Sequence, residues 1–535
     1  MKEFLWWRDG VIYQIYPRSF YDTTGNGIGD LRGITEKLDY LSDLGVDAIW
    51  LSPIYPSPDR DFGYDVSDYL AIDPRFGSMA NFDHLVSAAE KKGIRLILDL
   101  VLNHTSDQHP WFLASKSSRQ NPKRNWYIWR DGRGKGKPPN NWLSVFGGSA
   151  WQWDEDTRQY YLHMFYKEQP DLNWRNPHVR QQLLDVFRFW LDKGVKGFRL
   201  DVFNLYFKDE QFRNNPVRHF RVRPDQRQDM RYNCDQPEMM EVLHAIRQIL
   251  DGYKDSYAIG ETFLGSPEKA AAYCGENALH QAFSFDFLEC GWNAACFEKV
   301  IRRWESSLGK HKWPNYVLNN HDVKRSASRY GRGEDDERLK VAAAMLLTLR
   351  GTPFMYYGEE IGMREVRLKH SQILDPIGRR YWPFYKGRDG CRTPMQWDDS
   401  QNGGFSRGNP WLPLHPDVHV RNVDKQLNDP KSLLRHYKNL IALRRSEPVL
   451  VGGEMDFLDE TVKNVLAYRR ILNNETATIF LNFSNAEKRV ALPETPMRRF
   501  YSSRRSQLSG EGMIALLPNE ALIIFSQTDS PKGNV

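Results

Sequence analysis

The run Arg95-Leu-Ile-Leu-Asp-Leu-Val-Leu-Asn-His104 is apolar for most of its length and turns polar at its end, with Asp99 already inside it. A short run of this kind suits a strand buried on both faces. Seven other runs share its character: Val11-Ile-Tyr-Gln-Ile-Tyr, Ala48-Ile-Trp-Leu-Ser, Gly197-Phe-Arg-Leu-Asp-Val, Tyr257-Ala-Ile-Gly-Glu-Thr, Phe283-Ser-Phe-Asp-Phe, Tyr316-Val-Leu-Asn-Asn-His-Asp and Pro353-Phe-Met-Tyr-Tyr-Gly. Segments with helical spacing separate them, so the alternation predicts eight parallel βα units closing into an α/β architecture, the (β/α)8 TIM barrel.

Two departures from the alternation divide the chain further. Residues 105–172 are an irregular mix of Gly, Pro, Asn, Trp and Lys that cannot form a helical crossover, and they read as a subdomain inserted after strand three. After a helical segment from Leu433 to Arg445 come strands without helices: Val465 to Leu472, Ala477 to Phe483, Met513 to Leu517 and Ala521 to Phe525. The expected organisation is a barrel over 1–104 and 173–450, the insertion over 105–172 and a C-terminal antiparallel β-sandwich domain over 451–535, with 526–535 as a mobile tail.

Composition narrows the class of partner. Lys plus Arg number 74 against 68 Asp plus Glu, spread along the chain, which gives no electrostatic footprint for nucleic acid. No run of about eighteen apolar residues offers a membrane span or a signal peptide. The five cysteines are odd in number and lack a Cys-x-x-Cys pair, so they are expected as reduced thiols of a cytoplasmic protein. A neutral or small substrate fits this balance, and the chain is expected as a monomer or homodimer.

The carboxylates concentrate where a barrel keeps its chemistry, at the C-terminal ends of the strands. Strand three carries Asp99 with Asn103 and His104 just beyond, strand four Arg199 and Asp201, strand five Glu261, and strand seven His321 and Asp322. One such residue alone is more often structural; four strands ending alike favour a site. Acids converging on one mouth suit glycoside hydrolysis, in which one carboxylate attacks and another protonates the leaving oxygen. A divalent metal centre is the competing reading, although His104 and His321 stand alone on different strands.

The motifs Asp99-Leu-Val-Leu-Asn-His104, Gly197-Phe-Arg-Leu-Asp201, Gly260-Glu261-Thr262 and Asn320-His321-Asp322 resemble the four regions that define the α-amylase family of glycoside hydrolases. Gln169-Pro-Asp-Leu-Asn173, Tyr357-Gly-Glu-Glu-Ile-Gly362 and Arg388-Asp-Gly-Cys-Arg-Thr-Pro-Met-Gln-Trp397 resemble its α-glucosidase and oligo-1,6-glucosidase branch. The resemblance implies Asp201 as nucleophile, Glu261 as acid and then base, and Asp322 as a third acid on the sugar hydroxyls. It implies Arg199, His104 and His321 as binding groups, and a blind pocket in which Tyr64 stacks on the sugar and Asp65 pairs with Arg392. Phe146 and Phe165 are expected either as pocket walls or as core. Val202 after the nucleophile accompanies α-1,6 preference in that branch, although Phe203-Asn-Leu-Tyr departs from the Ile-Asn-Met-Ile that usually follows. The expected substrates are short α-glucosides cleaved from the non-reducing end with retention, with transglycosylation as a side activity. Sucrose isomerases and trehalose synthases share the glucosyl-enzyme intermediate, but the Arg-Leu-Asp-Arg stretch typical of the former is missing here. Non-catalytic relatives lack the acids that this chain has.

The loop Asp22-Thr-Thr-Gly-Asn-Gly-Ile-Gly-Asp30 places oxygen at alternating positions. Asp22, Thr24, Asn26, the Ile28 carbonyl and Asp30 are the expected ligands of a structural Ca2+ or Mg2+, remote from catalysis, for which no cofactor is expected. The family usually has asparagine and aspartate where Thr24 and Asn26 stand.

Overall fold

The computed structural model describes residues 4–221, 226–458, 462–508 and 512–527. Eight parallel strands form one sheet: β1 (Ile12–Ile15), β2 (Ala48–Leu51), β3 (Arg95–Leu100), β4 (Gly197–Leu200), β5 (Tyr257–Glu261), β6 (Gln281–Phe283), β7 (Asn315–Val317) and β8 (Thr352–Tyr356). Their order is β7-β8-β1-β2-β3-β4-β5-β6, so the sheet is nearly closed into a barrel. Side chains close the seam: Gln281 Nε2 donates to the Pro314 carbonyl at 2.9 Å and to Thr352 Oγ1 at 3.0 Å, and Asn315 Nδ2 donates to the Ala282 carbonyl at 2.8 Å.

The sixth strand is displaced from its expected position. It ends at Phe283, and Asp286–Glu289 is a short helix. Apolar residues at 283, 285 and 287 mimic a strand, but they straddle the strand end and the helix start.

Alternation along the strands decides what reaches the site. Ile12, Ala48, Ile97, Ile259, Phe283, Val317 and Phe354 form the cluster that fills the barrel. Two residues on from four of these, on the same face, come Gln14, Trp50, Asp99 and Glu261. Arg199 is the register partner of Asp99 on β4. Their outward neighbours Tyr13, Ile49, Leu98, Phe198 and Leu200 join the main core under the helices. Among those helices, α1 (Met79–Lys91) starts in a Ser78–Asn81 capping box, and α2 (Pro177–Asp192) starts at Pro177 after an Asn176 cap. Helix α2 buries Val179, Leu183, Val186, Phe187 and Trp190, one face at spacings of three and four.

Between β3 and β4 the chain builds an antiparallel three-stranded sheet (Trp129–Arg130, Gln159–Leu162, Trp151–Asp154). Bridges His104 to Asp171 and Tyr127 to Leu172 tie its outgoing and returning stems together. Helix α3 (Glu337–Thr348) precedes β8, and α4 (Leu433–Ser446) leads into the C-terminal strands. These are β9 (Glu454–Phe457), β10 (Val465–Leu472), β11 (Glu475–Asn482), β12 (Lys488–Ala491), β13 (Met497–Ser502), β14 (Met513–Leu516) and β15 (Ala521–Gln527). They form a five-stranded sheet, β9-β10-β11-β15-β13, and a β12-β14 pair. Ala477, Ile479, Leu481, Ile523 and Phe525 face the barrel core, while the alternate Phe480, Leu522 and Ile524 pack on Val490, Ile514 and Leu516 of the smaller sheet. Of the expected tail, Ser526 and Gln527 belong to β15, and 528–535 lie outside the described residues.

The expectation of five reduced thiols is corrected. Cys290 and Cys296 form a disulfide with Cα atoms 6.0 Å apart, while Cys234, Cys274 and Cys391 are free and buried. Cys290 closes the Asp286–Glu289 helix and Cys296 lies in the first turn of the next, Ala294–Leu308, so the short turn between them brings the pair within bridging distance. Among the described residues, no helix is long and apolar enough to cross a membrane.

Candidate active site

Arg199 is the centre of the site. Its guanidinium is 2% exposed and donates to Asp99 Oδ1 and Asp201 Oδ1, each at 2.7 Å, and to Glu261 Oε2. The carboxyls of Asp201 and Glu261 therefore stand side by side on one cation. Val202, a β-branched residue, adopts φ 35° and ψ 41°, a left-handed conformation that costs backbone energy. Its side chain packs in a cluster with Phe146, Phe165 and Met230.

A second group of bonds arranges the opposite wall. Gln14 Nε2 donates to His321 Nδ1 at 2.8 Å, which assigns the ring proton to Nε2. His321 Nε2 then lies 2.6 Å from the Tyr64 hydroxyl and 3.3 Å from Asp322 Oδ2, and the hydroxyl donates to Asp99 Oδ2 at 3.0 Å. The Tyr64 and His321 rings are parallel within 3°. Gly63 precedes Tyr64 with φ 102°, a conformation natural to glycine, and turns the loop toward the mouth. His104 Nε2 donates to the Tyr64 carbonyl at 3.0 Å, and Phe165 packs on the His104 ring at 5.2 Å.

The expected Asp65–Arg392 pair is not formed. Asp65 is fully buried and accepts from the backbone N–H groups of Arg60 and Asp61 and from the Ser57 hydroxyl, so it holds its own loop together. Arg392 instead donates to Asp322 Oδ1 at 2.7 Å and to the His321 carbonyl at 2.7 Å. The ion pair at this wall joins Arg388 and Asp61 at 2.7 Å, with Arg388 also 3.5 Å from Asp322 and 5.4 Å from the Phe146 ring centroid. Asp61, Arg388 and Gln14 were missed from sequence. Asp61 stands in the same Asp-Phe-Gly-Tyr-Asp stretch as Asp65, and only the turn at Gly63 decides which of the two faces the site.

Burial sets the protonation of the cluster. It raises Glu261 above the usual carboxylate range, opposed by Arg199 and assisted by the charge of Asp322. It raises Asp201 and lifts Asp99 to about 6, in both cases against Arg199. Three carboxyls around one guanidinium carry an excess of negative charge, so they retain a proton to higher pH than isolated carboxyls do. Burial alone would also raise Asp322, but His321, Arg392 and Arg388 hold it well below the usual range. Burial depresses His321 to about 3 and His104 to about 4, leaving both neutral at pH 7, so the hold on Asp322 there falls to the two arginines.

The expected metal loop is closed by its own hydrogen bonds. Asp22 accepts from the N–H groups of Thr24, Gly25 and Gly27 and from the hydroxyls of Thr24 and Ser406. Asp30 accepts from Thr23 and caps the next helix through Gly33 N, and Asn26 Oδ1 accepts from Ile28 N. In this loop the side-chain oxygens that would face an ion are turned onto N–H and O–H donors. Among the described residues, no three His, Cys, Asp or Glu side chains are grouped to hold a metal ion.

Comparison with known proteins agrees with this arrangement. The model of the alpha-amylase catalytic domain matches residues 14–453. A probable alpha-glucosidase of Rhizobium meliloti is 44% identical over 95% of this chain and 94% of its own. An oligo-1,6-glucosidase of Parageobacillus thermoglucosidasius is 42% identical over 92% and 93%. Among solved structures, an alpha-glucosyl transfer enzyme superposes with a TM-score of 0.93 at 41% identity, covering 98% of this chain and all of that one. The chain thus belongs to the α-amylase family of glycoside hydrolases.

Proposed function

We propose that this enzyme is a retaining, exo-acting α-glucosidase that releases glucose from the non-reducing end of short α-glucosides. The observation that carries the reading is the contact of both Asp201 and Glu261 with one guanidinium. Retention requires carboxyl groups only about 5 to 5.5 Å apart, whereas inversion needs room for a water between them. Two carboxyls held by the two terminal nitrogens of one guanidinium support the first class.

In this mechanism Asp201 attacks the anomeric carbon while Glu261 gives its proton to the glycosidic oxygen, and the aglycone leaves. Glu261, now ionised, takes a proton from water, which attacks the Asp201 ester and frees glucose. Asp322, kept ionised by Arg392 and Arg388, accepts hydrogen bonds from sugar hydroxyls, and these strengthen as the ring flattens toward the oxocarbenium ion. Neutral His321 and His104 bind hydroxyls without adding charge. The Arg388–Asp61 pair and Tyr64 close the far end of the pocket, which supports exo action. Val202, together with similarity to an oligo-1,6-glucosidase, supports α-1,6 preference.

A second reading is glucosyl transfer, favoured by the similarity to an alpha-glucosyl transfer enzyme. Both readings share the first displacement and differ in whether water or a sugar hydroxyl intercepts the ester. Glucose release from isomaltose, maltose, sucrose and maltoheptaose, with Asp201→Asn as control, tests the proposal. Isomaltose is expected to react fastest and maltoheptaose slowest. Faster reaction of maltose or sucrose overturns the linkage reading, and new oligosaccharides forming in place of free glucose favour transfer.

A further inference from the structure

A second cavity of about 660 Å3 shares its walls with the two segments that meet at Asp322. Its lining includes Lys324, two residues after Asp322, and Lys386 and Gly387, beside Arg388. Arg364, Arg367 and His415 add further basic groups, and among the described residues Glu365 is the single carboxylate in the lining. Arg364 lies 3.5 Å from Glu334 and 3.7 Å from Asp417, and His415 is paired with Asp417 at 2.6 Å. Among the described residues, Lys324, Arg367 and Lys386 have no carboxylate within ion-pairing distance, and all three are exposed.

Like charges gathered at one concavity repel, and a cavity wall focuses their field. Neighbouring Arg325 adds to that field. It is 1% exposed and lies over the Tyr356 and Tyr357 rings, and among the described residues its Nε and one terminal nitrogen have no hydrogen-bond partner. The volume matches a ligand of sugar-phosphate or nucleotide size, and guanidinium and ammonium groups together are the chemistry of phosphoryl recognition. The catalytic mechanism uses none of these side chains.

We propose that this cavity is an anion site for a phosphoryl group, either of a phosphorylated sugar or of a free phosphoanion. An occupant held by Lys324, Arg367 and Lys386 cross-links the segment carrying Asp322 to the segment carrying Arg388. Binding there is thereby coupled to the wall of the glucose pocket.

Isothermal titration of the full chain with pyrophosphate, inorganic phosphate, glucose 6-phosphate and, as neutral control, glucose in the presence of saturating 1-deoxynojirimycin tests this without relying on the proposed reaction. The companion variant is Arg367→Gln/Lys386→Gln, whose side chains are exposed and outside the catalytic machinery. The expected result is saturable binding of a phosphoryl ligand, weakened about tenfold or more in the variant and further by salt. Tighter binding of glucose 6-phosphate than of the inorganic anions identifies a phosphorylated sugar; the reverse identifies a free phosphoanion. No saturable binding of any phosphoryl ligand, binding that the variant retains in full, or equal binding of glucose overturns the proposal.

Discussion

Arg199 faces three carboxyls with one charge, so the division of labour between Asp201 and Glu261 rests on their other neighbours. Burial raises both against Arg199, Glu261 with help from Asp322 and Asp201 with help from Glu261 and Asp99, so the pair retains a proton that only one of them carries. The account assigns the working proton to Glu261 and expects kcat/KM to follow a bell in pH. Its alkaline limb records loss of that proton and lies above the ordinary glutamate range, because the shift is upward. Glu261→Gln is expected to cost about 10²- to 10⁴-fold on isomaltose but less than about tenfold in the first displacement of 2,4-dinitrophenyl α-glucoside, whose aglycone leaves without protonation. In that variant and with that substrate the alkaline limb should vanish. A limb that survives the substitution assigns the proton to another group.

At the scale of elements, the barrel strands deliver residues and the loops finish the site. Lys208, in the segment after β4, and Asp171, in the stem of the inserted subdomain, form an ion pair at 2.6 Å with both side chains fully buried, and Lys208 also donates to Asn103 Oδ1 at 2.8 Å. This pair joins the segment downstream of the nucleophile to the insertion and to the end of β3. Lys208→Met leaves a buried carboxylate without its cation and is expected to cost about 3 to 5 kcal/mol in urea unfolding, while Lys208→Met with Asp171→Leu recovers most of it. A single variant within about 0.5 kcal/mol of the parent contradicts a structural role for the pair. Asp99, Arg199 and Glu261 were legible in the sequence because each interrupts or ends an apolar run at a fixed alternation, and Asp201 and His321 because they follow directly. Gln14 obeys the same alternation but reads as an ordinary strand residue, since its partner His321 is 307 positions away. Asp61 and Arg388 sit on loops, where no periodicity says which of two nearby acids or arginines turns inward. Sequence placed the sixth strand too far along for the related reason that alternating phenylalanines do not mark where a strand yields to a helix.

The whole molecule depends on how the C-terminal sheet seats on the barrel. Arg470 of β10 is fully buried and donates to the carbonyls of Thr348 and Leu450, each at 2.7 Å, and the Tyr468 hydroxyl meets Thr348 Oγ1 at 2.6 Å, at the end of α3. Trp292, inside the Cys290–Cys296 turn, packs on Phe483 with ring centroids 4.4 Å apart and donates to its carbonyl. A shared core of this kind predicts one calorimetric unfolding transition for barrel and sheet together; two resolved transitions contradict it. The output of the molecule as a catalyst is the configuration of the sugar that it releases. Proton NMR of isomaltose hydrolysis in its first minutes, before mutarotation, reads that configuration at the non-reducing glucose. Initial release as α-glucose is the predicted result, with the β anomer of that unit appearing only later; initial release as β-glucose contradicts double displacement at Asp201 and with it the assigned roles of the two carboxyls.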